Sequence, residues 1–465
     1  MKKLLLLTIL LIAFQAKSQW AGAYYDTLTH NSLRDELNHQ CIDIDKTGKL
    51  HVVYKRENPV SGWSFFYRQR DLSSVWSPED SVTSDVGFDP VIAASNIAGD
   101  AYVAYEGGAS SIYDIFLSSY SAGLWTNQQI TNDAAEDMTP TIDVDSAGYV
   151  HLAWTSIDSF GNYLIKYATN IGGVWRKQEL SANQLGLFGS GAIPEIAVEK
   201  PGIAHIVYRG GVPNAYKIYH AFNNAPGDST WTYDILTTSN MEDLQSAIAI
   251  DQAENIHVLV SGDDGFGFPV NAFYLKKPFG SPSFEPAVRA ASAYHAAVGD
   301  LFIDSHDVPH IVLNELSGNF LTGNIIYADS TDWTGITLLQ TNDVYEAHLV
   351  IDADDHAYMA GFRGNSFADE EIIVYGADNT TGMDILPSKN PLMKIITTDN
   401  NIRVIFNTDY NGILNCMGVD GKTIYKHNGN YRKDEFINIT NVSSGIYFIT
   451  AASQTNRSVI KIAVR

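Results

Sequence analysis

The stretch Ile42-Asp43-Ile44-Asp45-Lys46-Thr47-Gly48-Lys49-Leu50-His51-Val52-Val53-Tyr54 is an apolar strand, a turn built on Asp45 and Gly48, and a second apolar strand opened by His51. The turn chemistry is specific. An Asp side chain can bond the backbone two residues on, and Gly supplies the positive φ that closes a tight reversal. The same pattern returns at Asn96/Gly99/Tyr102, Asp145/Gly148/His151, Glu199/Gly202/His205, Asp251/Glu254/His257, Asp304/Asp307/His310 and Asp352/Asp355/Tyr358. Successive His-like positions lie 51, 49, 54, 52, 53 and 48 residues apart. Seven copies at this period make an internal repeat, which sets the fold class.

Each copy has a second half. A third strand follows, such as Ser64–Tyr67, Ile115–Leu117 or Leu164–Tyr167. An aromatic residue then opens a fourth, at Trp76, Trp125, Trp175, Trp231 and Trp333, with Phe284 in the equivalent place. Strands rich in Val, Ile, Tyr and Trp and broken by Gly, Asp and Asn read as antiparallel β. Four strands per repeat of about 50 residues is the signature of a propeller blade. The seventh copy has a third strand, Ile372–Tyr375, but no Trp strand after it, whereas Trp20 lies ahead of the first copy with the spacing of a fourth strand. The expectation is an all-β chain: a seven-bladed β-propeller over 19–384, its last blade closed by an N-terminal strand, followed by a small β-sandwich over 385–465.

Composition supports a folded, exported chain. Of 465 residues 45% are apolar, and 53 acidic against 30 basic residues give a net charge of −23. That charge argues against a nucleic-acid partner, which needs a basic footprint. Lys2 and Lys3, the apolar run from Leu4 to Phe14 and the small residues of Ala16-Lys17-Ser18 read as a cleavable signal peptide, 1–18. No later run reaches the ~18 apolar residues of a membrane-spanning helix, so the expected product is exported, monomeric and without a transmembrane segment. Cys41 and Cys416 fall in different domains and read as two free thiols, Cys41 packed in an apolar-flanked run.

A residue type used seven times around a ring reads as a fold device rather than a catalyst, because catalysis needs a unique constellation. Asp43-x-Asp45 and Asp143-x-Asp145 begin like a calcium loop, but Tyr54 and Trp154 stand where its twelfth-position Glu belongs. No metal and no cofactor are expected. The loops entering the first strands and those joining second to third strands share one face. That face receives His39 and His348, the carboxylates Asp89, Glu106, Asp137, Asp243, Asp263, Asp264 and Glu315, and the cations Arg56, Arg209 and Arg363. Trp63, Phe88, Tyr294 and Tyr345 are the aromatic neighbours that can stack on sugar rings. These are the candidate ligand-binding residues.

The D-x-x-G-x-x-H repeat resembles the propellers grouped with sialidase-type (BNR, or Asp-box) repeats, although the Ser and Thr-Trp of the true Asp box are missing. The resemblance implies a carbohydrate ligand, whether for a lectin, a sialidase or a polysaccharide lyase. A sialidase would use an Arg cluster, for which Arg56, Arg209 and Arg363 are the candidates. A lyase would use a His or Tyr base such as His39, His295 or His348. The acidic rim works against an anionic substrate. Binding of a glycan or protein ligand without chemistry is the leading expectation; a carbohydrate-active enzyme and a purely structural or adhesive surface protein are the alternatives.

Charge changes sign near 385. Residues 385–465 hold 10 basic and 5 acidic residues, and with +3 on the leader this leaves −31 for the propeller. Asn390-Pro391, the run Leu414–Ile424 with Gly421-Lys422, Ser444-Gly445-Ile446-Tyr447 and Lys461-Ile462-Ala463-Val464 follow in order. Together they resemble the C-terminal sorting domain of the type IX secretion system. The resemblance implies that Gly421, Lys422, Gly445, Tyr447 and Lys461 belong to a sorting signal read by the translocon. It also implies that the protein is secreted or held at the outer-membrane surface after passing through the periplasm.

Overall fold

The computed structural model describes residues 24–376 and 393–464, less short segments of which the longest are 181–192, 238–244, 263–269 and 364–370. Trp20, Asp243, Asp263, Asp264, Gly421 and the leader lie outside the described residues. The chain divides into two compact units, whose main parts are Thr27–Val374 and Tyr375–Arg465.

The first unit is a seven-bladed propeller of antiparallel sheets. Blade three shows the plan: Glu136–Val144, Val150–Ile157, Tyr163–Thr169 and Arg176–Glu179 pair in that order. Blades two, four, five and six repeat it, beginning at Gly87–Ala94, Glu195–Lys200, Gln245–Ile250 and Ala296–Ile303. Blade one has its first strand broken into Asp35–Glu36 and Ile42–Ile44, both beside Leu50–Asn58. In blade seven Val344–Ile351, Ala357–Arg363 and Glu371–Gly376 are followed in space by Tyr24–Thr27. There Leu28 N–H donates to Ile372 C=O at 2.7 Å and Ile372 N–H donates to Thr29 Oγ1 at 2.9 Å. Strands from the two ends of the repeat array thus share one sheet, which removes a bare edge.

Buried apolar residues fill the spaces between blades, as with Val91, Ile115, Ile142 and Leu152 between blades two and three. The repeated turn residues hold polar positions inside this core. Asp145 Oδ1 accepts from Ala147 N–H and Tyr149 N–H, both at 2.9 Å. Its Oδ2 accepts from His151 Nε2 at 3.1 Å and from Gly202 N–H of the next blade at 3.2 Å. His151 Nδ1 then meets Tyr167 Oη at 2.6 Å. The Asp–His–Tyr relay recurs as Asp251–His257–Tyr274 and Asp304–His310–Tyr327. In blade one the Asp45–His51 gap widens to 3.6 Å. The His therefore ties turn to third strand within its own blade. Asp45 and Asp145 make a bond between blades, to Gly99 N–H and Gly202 N–H.

Copy two departs from the expected register. Its turn is one residue longer, running from Ser95 N–H to Asp100 C=O, and Ser95 Oγ takes the role assigned to Asn96 by accepting from Ile97 N–H at 3.1 Å.

The second unit holds two sheets. One orders Met393–Thr398, Asn401–Phe406 and Phe436–Thr440; the other orders Thr423–Tyr431, Tyr410–Gly418, Gly445–Ala452 and Arg457–Val464. Ile402, Val404, Phe406, Leu414, Cys416, Tyr431, Ile439 and Ile449 form its buried core. Both thiols of the chain are free and buried. Among the described residues no helix is long and apolar enough to cross a membrane.

Candidate functional site at the propeller channel

The first strands bulge as they reach the channel. Register slips occur between Phe88 and Val91, Met138 and Thr141, and Tyr345 and His348. Asp89, Thr139 and Glu346 sit in these bulges with φ of 49°, 48° and 50°, and Gln40 has φ 55° in the break of blade one. Left-handed backbone is unfavourable for such residues and concentrates where a side chain must be re-aimed.

Blade one also reaches across the channel. His39 Nε2 donates to Pro140 C=O at 3.0 Å, and Gln40 Nε2 donates to Ile142 C=O at 2.6 Å. Gln40 Oε1 accepts from Ile142 N–H at 3.0 Å and Thr141 Oγ1 at 2.8 Å, so its amide pairs with blade three as a strand would.

An acidic cluster surrounds this bridge. Glu106 accepts from Thr139 N–H at 2.5 Å, and burial, followed by the neighbouring Asp89 charge, pushes its carboxyl up to about 8. Lys55 Nζ lies 3.1 Å from Glu36 and 3.9 Å from Asp89. His348 Nδ1 lies 3.8 Å from Asp300. Burial lowers the His39 pKa and raises that of Glu195. Below the mouth, Asp43 and Asp143 each accept a backbone N–H from the next blade, Ala94 at 2.7 Å and Val198 at 2.8 Å. Burial raises these two carboxyls to about 6 and about 7.

Of the candidate residues, His39, Asp89, Glu106 and His348 come together here. Arg56 does not stand ready for an anion, because it is clamped between Asp35 at 2.6 Å and Glu79 at 2.7 and 2.8 Å. Arg363 bonds Glu371 at 2.8 Å, and Arg209 lies over the Tyr216 ring at 4.8 Å. Glu315 accepts from Asn324 at 2.7 Å within blade six. Asp137 is fully buried, 3.5 Å from Lys166. Trp63 carries Lys55 at 5.0 Å and Arg34 at 5.5 Å over its ring.

Sequence reading missed Glu195, Asp300 and Glu346. Glu195 and Asp300 sit opposite Val207 and Val312, two residues past the repeated His, and His348 holds the corresponding place beside Ala360. Aligning the repeats at that position would have found them. Phe160 was missed as well. It is 86% exposed on the turn joining the second and third strands of blade three. Asp158 holds that turn, accepting from Phe160 N–H at 2.8 Å and Asn162 N–H at 2.9 Å.

Asp304, His306 and Asp355 are the one group with metal-ligand spacing among the described residues. Their atoms are already engaged: His306 Nδ1 bonds Asp355 at 2.8 Å, and Asp304 accepts from His306 N–H, Val308 N–H and His310.

The molecule thus comprises a seven-bladed propeller and a C-terminal β-sandwich unit. Residues 390–465 match the family described as a secretion system C-terminal sorting domain, which marks the protein for export to the cell surface or medium and for recognition by the secretion machinery. No curated protein matches the sequence. Among solved structures, a fungal alcohol oxidase of the AA5 family in complex with copper is 12% identical, with TM-score 0.51 over 95% of this chain and 100% of that one. The polysaccharide lyase Uly1 is 11% identical, with TM-score 0.49 over 77% and 94%. A Hadza microbial sialidase is 13% identical, with TM-score 0.45 over 74% and 65%. At these identities the first supports the propeller fold alone.

Proposed function

We propose that the exported propeller binds neutral carbohydrate, without chemistry, on the face that carries the channel mouth. The observation that carries this reading is Phe160, an aromatic ring 86% exposed on a hairpin tip fixed by Asp158. An aromatic held out by a rigid turn offers a stacking surface at little entropic cost. A neutral ligand is favoured because Arg56, Arg363 and Lys55 are each drawn to carboxylates and the channel mouth is acidic. Residues 1–18 would act as the leader that starts export and 385–465 as the address that completes it.

The test is a glycan array with the propeller in full-length protein, run beside product release from the same polysaccharides. Binding to neutral glycans, weakened at least tenfold by Phe160→Ala at an unchanged melting temperature, is the expected result. Binding indifferent to Phe160→Ala, or confined to anionic glycans, would overturn it. Sugar released at catalytic turnover would replace the binder with an enzyme whose acid is sought at Glu106, the carboxyl raised to about 8.

A further inference from the structure

Blades one and three place a carboxylate at the same point, and its partners differ. Asp35 stands opposite Arg56, and Asp137 stands opposite Ser156, each on the second strand five residues past the repeated His. In blade one Arg56 Nε donates to Asp35 Oδ1 at 2.6 Å and Nη2 to Oδ2 at 3.2 Å, with the guanidinium over the Phe66 ring at 4.5 Å. Asn31 Nδ2 adds a third bond, to Oδ2 at 2.7 Å. Blade three has Ser156 in place of Arg56 and Lys166 in place of Phe66. Lys166 Nζ returns one charge, 3.5 Å from Asp137 Oδ1 and 3.3 Å from Asp133 Oδ2. Asp137 and Ser156 are fully buried, and neither Asp137 Oδ2 nor Ser156 Oγ has a hydrogen-bond partner among the described residues.

The shortfall is in charge as well as in bonds. Asp137 N–H donates to Tyr113 C=O at 2.9 Å, which places the carboxylate between blades two and three. The segments that meet there, 106–116, 124–137 and 154–166, carry Glu106, Asp114, Asp133, Glu136, Asp137 and Asp158 against Lys166 alone. The Asp114 carboxyl is raised, by burial first and further by the Asp137 and Asp133 charges. A buried carboxylate oxygen without a donor is costly, and a planar fork across both oxygens, as in blade one, removes that cost. Solvent reaches the outer end of the niche, where the Asp133 side chain is 52% exposed and that of Lys166 15%.

We propose that this niche between blades two and three is a binding site for a guanidinium group, presented by an arginine side chain of a peptide. The incoming group displaces the Lys166 head from Asp137 and forks across Oδ1 and Oδ2, with Ser156 Oγ as a further acceptor, while Lys166 keeps Asp133. A metal ion fits less well, since Asp114, Asp133 and Asp137 are not among the groups with metal-ligand spacing. The inference does not depend on what Phe160 binds.

The test is titration calorimetry of the full-length protein with an end-blocked arginine tripeptide, its citrulline counterpart and calcium chloride. The arginine peptide should bind, the citrulline peptide about tenfold or more weakly, and calcium should not compete. Asp137→Asn and Ser156→Arg should each weaken binding about tenfold or more, the first by removing the charge and the second by filling the niche with the protein's own guanidinium. Ser156→Arg should also raise the melting temperature, and adding Asp137→Asn to it should cancel the rise. No binding of the arginine peptide to the wild type, equal binding of the citrulline peptide, competition by calcium, or undiminished binding in either variant that keeps the wild-type fold would overturn the proposal. So would a Ser156→Arg protein that melts below the wild type, because no guanidinium would then fit beside Asp137.

Discussion

Blades three and four perform the same structural task with different residues. In blade three the carboxylate comes from the turn, the imidazole from the second strand and the hydroxyl from the third: Asp145, His151, Tyr167. In blade four His220 replaces the Tyr. His205 Nδ1 meets His220 Nε2 at 3.0 Å, with ring planes 5° apart, and His220 Nδ1 faces Asp234 Oδ2 at 3.3 Å. Asp234, on the fourth strand, is also held by Lys277 of blade five at 2.7 Å. Blade four thus carries a carboxylate on its outer strand at the end of this line of buried donors and acceptors. What blades three, five and six preserve is a satisfied polar chain, because an unpaired buried polar group costs about 1–3 kcal/mol whatever its identity.

The largest difference between the blades should appear on cutting the turn carboxylate of blade three. Asp145→Ala strips partners from two turn N–H groups, from His151 and from Gly202 of the next blade, and should cost about 3–5 kcal/mol in denaturant unfolding. A cost below about 1 kcal/mol would mean that the relay and the link between blades are ornamental.

Next come the turn glycines at equivalent positions. Gly148 has φ 86° and open space where a Cβ would stand. At Gly202, φ 81°, a Cβ would lie 2.6 Å from Ile171 Cδ1 and 2.7 Å from Pro226 Cβ. Gly148→Ala should cost about 1 kcal/mol from left-handed backbone alone, and Gly202→Ala about 2–3 kcal/mol, since crowding adds to strain. Equal melting temperatures for the two variants would show that blade four relaxes around the added carbon.

The subtlest contrast is in pH. Burial holds the His220 pKa down to about 4, so the folded protein keeps it neutral while the unfolded chain protonates near 6.5. Stability from this group is full above about 6.5 and is lost as pH falls toward 4, by up to about 3 kcal/mol. The Asp145 pKa is instead held below its ordinary value: against the opposing cost of burial, the His151 bond and backbone N–H groups keep it ionised. Its contribution persists until pH drops below about 4. His220→Gln should therefore flatten the melting-temperature profile between pH 6.5 and 4.5 relative to wild type, whereas Asp145→Asn should alter it only below 4. Raised carboxyls such as Asp143 act in the opposite sense, losing stability as pH rises from about 4 to about 7. The comparison of variants with wild type removes that shared background.

Much of the fold was legible because each blade is local. Two strands, a turn and an aromatic strand opener fit within 50 residues, and the patterns at Asp45, Gly48 and His51 or at Trp125 and Trp231 state them directly. The sorting tail was legible for the same reason, its Gly-Lys and Gly-x-Tyr elements being short runs in fixed order. The channel was less so. His39, Asp89, Glu106 and His348 could be named as candidates from their loops, but Glu195, Asp300 and Glu346 join them only through bulges and register, and Arg56 is silenced by Asp35 and Glu79 from 21 and 23 residues away.

By itself, then, the sequence determined seven blades, a charge that is strongly negative in the propeller and positive in the tail, and the address written in the last residues. Those properties are sums or short-range patterns, and chain order carries both. Only the tertiary structure decided that His39 and Gln40 bridge the channel to blade three, that Arg56 and Arg363 are engaged by carboxylates, that Phe160 stands out in solvent, and that Thr423–Tyr431 is the end strand of its sheet among the described residues. Each depends on which distant strands become neighbours, and the energy of a buried charge or an open edge is set by those neighbours rather than by the residue that bears it.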